Sequence, residues 1–144
     1  MIKEMVKHRF PGLKYLFHLN RDGLIILDVE SVQKTAICPY CGYPSSRVHS
    51  YHIRKFHDLP YEGNELLVRL HNKKFFCENK NCSHTTFVEQ FDFISPAEKK
   101  TDRLIDEILS AYNDSSSRET AFSLKETGIN VCKATVCNLK NKYS

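Results

Sequence analysis

Four cysteines in two close pairs constrain this chain more than any other feature. The first pair is Cys38-Pro39-Tyr40-Cys41-Gly42 and the second is Cys77-Glu78-Asn79-Lys80-Asn81-Cys82. The short first gap lets both sulfurs turn toward one point, and Gly42 supplies the left-handed backbone that such a knuckle needs. The second gap is wider, and Asn79 and Asn81 suit the tight turn it requires. Both spacings fall in the range of structural zinc sites, and zinc accepts four thiolates in a tetrahedron. The reading is therefore one Zn2+ held by Cys38, Cys41, Cys77 and Cys82. Four sulfurs leave no position for the water that a catalytic zinc keeps, so the ion is read as structural. Three alternatives stand beside it: iron in the same cage, four buried cysteines without metal, or a histidine replacing one cysteine. The histidines in range are His84, His49, His52, His57 and His71.

Cys132 and Cys137 are a different case. Their spacing on a helical stretch points them to different faces, which argues against a chelating pair. They read as small apolar or surface residues.

The metal reading depends on a reducing compartment. Met1 to His8 has no apolar stretch like that of a secretory signal. The longest aliphatic run, Leu24-Ile25-Ile26-Leu27, is far short of a membrane span. The expectation is a cytoplasmic protein with no membrane partner, where paired cysteines mean metal or catalysis rather than disulfides. The composition, 41% hydrophobic and 26% charged, is that of a soluble globular chain. A formal charge of +4 permits a nucleic-acid partner without demanding one.

The hydrophobic period changes near residue 95, and the expected fold class is α+β. Before that point the chain reads as short strands: Leu24 to Val32 after an Asp22-Gly23 turn, Arg47 to Phe56, Glu65 to His71 continuing toward Cys77, and Thr85 to Phe91. Glu62-Gly63-Asn64 is the turn between the second and third. A metal on both cysteine pairs would pin the ends of that hairpin. In the first 20 residues a short helix around Lys14 to His18 is one reading.

After Ser95 the spacing is helical. Ser95-Pro96-Ala97-Glu98 reads as a capped helix start, followed by Leu104, Ile105, Ile108, Leu109 and Tyr112. Asn113-Asp114-Ser115-Ser116 breaks the pattern. Ser116 or Ser117 caps a second helix to about Thr127, which Gly128 ends. A third runs from Cys132 or Lys133 to Lys142. The expected domains are a zinc-ribbon-like β module over residues 1–94 and a three-helix module over 95–144.

Three short helices with a glycine before the last suggest a helix-turn-helix, whose last helix enters the DNA major groove. Its outward side chains would be Lys133, Thr135, Asn138, Lys140, Asn141 and Lys142. From Gly128 to Ser144 there are lysines and no acidic residue. Lysine and threonine hold phosphates, and asparagine reads adenine edges. The competing reading is a small helical bundle with a solvated polar face. The Ile129-Asn130-Val131 segment also makes the turn longer than in the tightest versions of the motif.

The order of these features resembles the N-terminal region of bacterial transposases of the insertion-sequence "L three" (ISL-three) family. The resemblance rests on Cys38-Pro39-Tyr40-Cys41-Gly42, His49, Arg54, Asp58-Leu59-Pro60, Lys74-Phe75-Phe76-Cys77, Cys82 and Thr86-Phe87-Val88-Glu89. Ala134-Thr135-Val136 is similar to the Ser-Thr-Val that opens the family's recognition helix. The resemblance implies a zinc module followed by a helix-turn-helix that binds double-stranded DNA at transposon terminal repeats, and association with the nucleoid when bound. Transposases commonly act as dimers, so a homodimer is an open expectation, although no heptad run supplies a seam. Family members continue into an RNase H-like domain with three metal-binding carboxylates. Nothing here matches that triad, since Asp102, Asp106 and Glu107 read as the solvated face of one helix. The expectation for this polypeptide is DNA binding without strand transfer.

Within the zinc module, Arg54, Lys55, Lys73 and Lys74, with Arg47, are the expected additional DNA contacts. Arg54 with Asp58 as a structural pair is the alternative for those two. Rival functions are a zinc-stabilised protein-interaction module, a stand-alone transcriptional regulator, and an enzyme. The enzyme's best candidates, His49, His57 and Asp58, lack a nucleophile or open metal. No small-molecule substrate is expected.

Overall fold

The computed structural model describes residues 1–112 and 116–143. In chain order its elements are α1 (Ile2–Arg9), β1 (Leu13–Arg21), β2 (Leu24–Ser31), β3 (Ala36–Ile37), β4 (Pro44–Ser45), β5 (Val48–Tyr61), β6 (Asn64–Phe76), β7 (Thr86–Val88), α2 (Asp102–Tyr112), α3 (Ser117–Glu126) and α4 (Lys133–Tyr143). The fold class is mixed α+β.

Two tight hairpins organise the larger sheet. Asp22 and Gly23 join β1 to β2 with φ of 51° and 82°, and Glu62 and Gly63 join β5 to β6 with φ of 51° and 78°. Positive φ at both loop positions gives the turn whose twist matches the strands it connects. The strand order is β1-β2-β6-β5, and β7 pairs with the end of β6 in the register Lys74↔Val88, Phe75↔Phe87, Phe76↔Thr86. A second, two-stranded sheet pairs β3 with β4.

The chain forms two compact units, each assembled from separate stretches. Met1–His18, Leu27–Lys55 and Arg69–Asp92 make the first; Leu19–Ile26, Phe56–Val68 and Phe93–Ser144 make the second. The second unit also takes in both hairpin turns.

In the first unit, α1 buries Met5 and Val6, and Phe10 closes it with no exposure. Lys7, His8 and Arg9 occupy its last turn, where cations favour the helix dipole. Leu27, Val29 and Leu70 are fully buried strand residues. Each such side chain contributes about 1.5–3 kcal/mol. Asp28 is also buried; Arg69 pairs with it at 3.2 Å, and the His71 ring nitrogen lies 3.2 Å from its carboxylate.

In the second unit Leu104, Ile105 and Ile108 of α2, Ala121 and Leu124 of α3, Ile129 and Val131 of the connection, and Val136 and Leu139 of α4 share one core. The Ser116 hydroxyl caps α3 by accepting from the Glu119 N–H at 3.2 Å. At its other end the Gly128 N–H donates to the Lys125 carbonyl and the Ile129 N–H to the Leu124 carbonyl. With Gly128 at φ 94° this is a Schellman stop.

Three expectations need correction. Lys14 to His18 is not helical: it lies in β1, because pairing with β2 across the Asp22-Gly23 turn outweighs weak local preference. The helix of this region is Ile2–Arg9. Ser95 to Glu98 forms a turn, with the Glu98 N–H donating to the Ser95 carbonyl at 3.1 Å, and α2 begins only at Asp102. The cause is extended pairing just downstream. The His57 N–H donates to the Lys99 carbonyl at 2.9 Å, and the Thr101 N–H donates to the His57 carbonyl at 3.0 Å. The Thr101 hydroxyl then takes the Leu104 N–H at 3.4 Å, as a cap would. Finally, the strand expected over Thr85 to Phe91 is only Thr86–Val88. The expected break at Asn113-Asp114-Ser115 lies outside the described residues.

Candidate metal centre and nucleic-acid interface

The two cysteine pairs sit on two different local structures. Cys38 and Cys41 belong to the β3–β4 knuckle, closed by the Cys38 N–H donating to the Tyr43 carbonyl at 3.0 Å and the Gly42 N–H donating to the Cys38 carbonyl at 2.8 Å. Gly42 has φ 76°, the left-handed conformation expected of it. Cys77 follows β6, and its N–H donates to the Thr85 carbonyl at 2.9 Å. Asn79 turns the chain back: its side-chain oxygen accepts from the Asn81 N–H at 3.0 Å, and its carbonyl accepts from the Cys82 N–H at 3.1 Å. Cys38, Phe75 and Phe87 form the buried floor, flanked by Ala36, Val48, Cys77 and Cys82.

The four sulfurs converge. All lie within 4.8 Å of one another, with Cys38 and Cys82 at 3.9 Å and Cys41 and Cys77 at 3.6 Å. Four sulfurs at the zinc–sulfur bond length define a tetrahedron with edges of about 3.8 Å, so the two close pairs fit that ion. They are far beyond the disulfide bond length, about 2.05 Å, and all four thiols are free. Donor type and spacing therefore fit a zinc ion.

Protonation fits a ligand set as well. A side-chain hydrogen bond from Asn79 holds the Cys41 thiol down to about 6. The Asn79 backbone also favours the Cys77 thiolate. Desolvation and the neighbouring sulfurs of Cys41, Cys82 and Cys38 outweigh it and push that thiol up to about 12. At Cys82 the His84 backbone N–H and the Cys77 sulfur lower the pKa, yet desolvation and the sulfurs of Cys41 and Cys38 raise it. One thiolate forms readily and further charge in so small a space is resisted, which is the repulsion a divalent cation relieves.

The histidines do not join this cluster. The His84 N–H donates to the Cys82 sulfur at 3.4 Å, and its ring stacks on Tyr40 with centroids 3.5 Å apart. His49 meets the Phe76 ring edge-on at 4.8 Å. His71 pairs with Asp28, and His57 with Glu65 at 3.3 Å. His52 is exposed on β5. Cys132 and Cys137 are exposed on the helical segment, and Cys132 contacts the Thr135 hydroxyl at 3.3 Å.

The helical residues fall into two groups. Lys133, Asn138 and Asn141 are exposed on α4, opposite the buried Val136 and Leu139, while Thr135 is half-buried. Lys140 and Lys142 are exposed but engaged. Lys140 lies over the Tyr112 ring at 4.7 Å and donates to its hydroxyl, and Lys142 pairs with Glu98. On the β module, Lys55 is exposed, Arg54 and Lys74 are half-buried, and the Lys73 ammonium donates to the Gln33 carbonyl at 2.7 Å.

Two features were not read from the sequence. One is the control that Asn79 exerts on the thiols. The other is the set of partners around Asp58, whose buried carboxylate accepts from the Thr101 hydroxyl at 2.6 Å and pairs with Arg103 at 3.1 Å. No local pattern signals either.

Among the described residues no helix is long and apolar enough to cross a membrane. No curated protein and no solved structure matches the chain. Residues 34–82 match the family model described as the zinc-finger of transposase IS204/IS1001/IS1096/IS1165. The segment that gathers the four cysteines is thus similar to a transposase zinc finger, and the match ends at Cys82, ahead of α2.

Proposed function

We propose that this chain is the DNA-binding N-terminal portion of a transposase-like protein, recognising transposon-end duplex DNA through a helix-turn-helix supported by one structural zinc. The observation that carries the reading is the convergence of four sulfurs inside the segment that matches a transposase zinc finger. A full sulfur tetrahedron gives the ion no open position, so its role is to staple the two cysteine knuckles and not to catalyse.

The helices of residues 95–144 supply the reading surface. α3, the Gly128 stop and α4 follow one another around a shared core, with α4 as the recognition helix. Asn138, Thr135 and Lys133 are assigned to base edges, and Asn141, Lys140 and Lys142 to phosphates, the last two after release from Tyr112 and Glu98. Arg54, Lys55, Lys73 and Lys74 of the zinc module add contacts. Exposed Phe122 on α3, at 67% exposure, favours a protein-interaction module instead.

A gel shift with transposon-end duplex across a salt series tests the choice. The expected result is a sequence-preferring complex whose log affinity falls by about 0.9 per log unit of salt for each phosphate neutralised. Affinity that is flat in salt and indifferent to sequence contradicts it.

A further inference from the structure

One face of the β5–β6 hairpin in the first unit is unlike an ordinary solvated sheet surface. From Ser45 to Lys55 and from Arg69 to Cys77 the chain carries Arg47, Arg54, Lys55, Arg69, Lys73 and Lys74 and no aspartate or glutamate. Arg69 is held by Asp28 and Lys73 by the Gln33 carbonyl. Arg47 is not sunk in the same way: its guanidinium lies 4.6 Å over the Phe76 ring, which His49 also meets edge-on. Arg47, His49 and Phe76 therefore share a face. Strand alternation adds Tyr51, Ile53 and Lys55 to it from β5, and Lys74 from β6.

Tyr51 and Ile53 occupy the middle of this basic strip with 66% and 40% exposure. Contacts to duplex phosphates would use the cations and leave the Tyr51 ring in water. An unpaired base covers the ring while its phosphates run along the cations, which is how sequence-tolerant single-strand sites work. We propose that this face binds single-stranded DNA, with bases on Tyr51 and on the His49–Phe76 pair and phosphates along Arg47, Lys55 and Lys74. The choice of DNA rests on the function proposed above; the strip shares no residue with α4.

The test is fluorescence anisotropy of zinc-loaded protein with a labelled oligothymidine of about 12 nucleotides, within the usual site size. Tyr51→Ala is expected to weaken binding roughly tenfold and Tyr51→Phe to restore it, because stacking needs the ring and not the hydroxyl. Zinc content and circular dichroism check the fold, and Tyr51 is exposed enough to be replaced without loss of core. Asn138→Ala with Lys140→Ala should abolish duplex recognition and leave oligothymidine affinity unchanged. Oligothymidine binding without duplex recognition in the parent protein supports the strip and fails the helical reading alone. Three results overturn the proposal: no single-strand binding, no response to Tyr51→Ala, or loss of oligothymidine binding in the α4 variant. Equal weakening of duplex and single strand by Tyr51→Ala also overturns it, and so does a strip that binds only protein.

Discussion

The Cys41 and Cys77 sulfurs lie 3.6 Å apart although the β5–β6 hairpin separates them in the chain. A contact of that length between two thiols is too long for a bond between them and right for a shared ion. A metal shared by these sulfurs would close the hairpin into a loop tied at its ends.

Zinc affinity should therefore depend steeply on pH. Cys77 is pushed up to about 12 and Cys82 is raised, so both hold protons at neutral pH and zinc must displace them. Lower pH strengthens the competing protons, so affinity falls as pH falls. Displacing at least these two protons implies a loss of about 100-fold or more per pH unit. A competition titration with a chromophoric chelator between pH 8 and pH 6, roughly two units, measures the slope; a flat profile contradicts thiolate ligation.

Cys77→Ser should lose stoichiometric zinc and destabilise the first unit by about 3 kcal/mol or more, because metal binding and folding are coupled in so small a module. Thermal melts with and without chelator give the comparison. The parent protein should melt lower with chelator, and the variant should show little further change.

Arg103→Ala removes the guanidinium that pairs with the buried Asp58 carboxylate at 3.1 Å. The expected cost is about 3 kcal/mol, toward the lower end for breaking a buried pair because Arg103 is partly exposed. Urea unfolding followed by circular dichroism reads it, and a loss within error of zero would show that Arg103 carries no such role.

Gly128→Ala tests the α3–α4 connection. A Cβ there would stand 3.2 Å from the Gly63 carbonyl oxygen and 3.3 Å from two Pro60 side-chain carbons, at φ 94°. Strain and crowding together should cost about 1–3 kcal/mol and weaken duplex binding through the displaced α4. A variant as stable as the parent would mean that the turn tolerates rearrangement.

The parts of this fold legible in the sequence are those set by short-range chemistry. Paired cysteines, the Asp22-Gly23 and Glu62-Gly63 turns, the Ser116 cap and the Gly128 stop each act over a few residues. What was not legible depends on distant partners. β1 is exposed from Phe17 onward and has little pattern of its own; pairing with β2 makes it a strand. Ser95-Pro96-Ala97-Glu98 has the residues of a helix start, but the bonds of Lys99 and Thr101 to His57 keep the chain extended there. The same holds at the site. The spacing of the cysteines points to a metal, whereas the hold of Asn79 on Cys41 appears only once the two knuckles meet.

X-ray absorption at the zinc edge, with elemental analysis of the same sample, addresses the four-sulfur site most directly. The expected result is about one zinc per chain with four sulfurs at about 2.3 Å and no lighter ligand. Absence of zinc, or nitrogen or oxygen atoms in the shell, would contradict it.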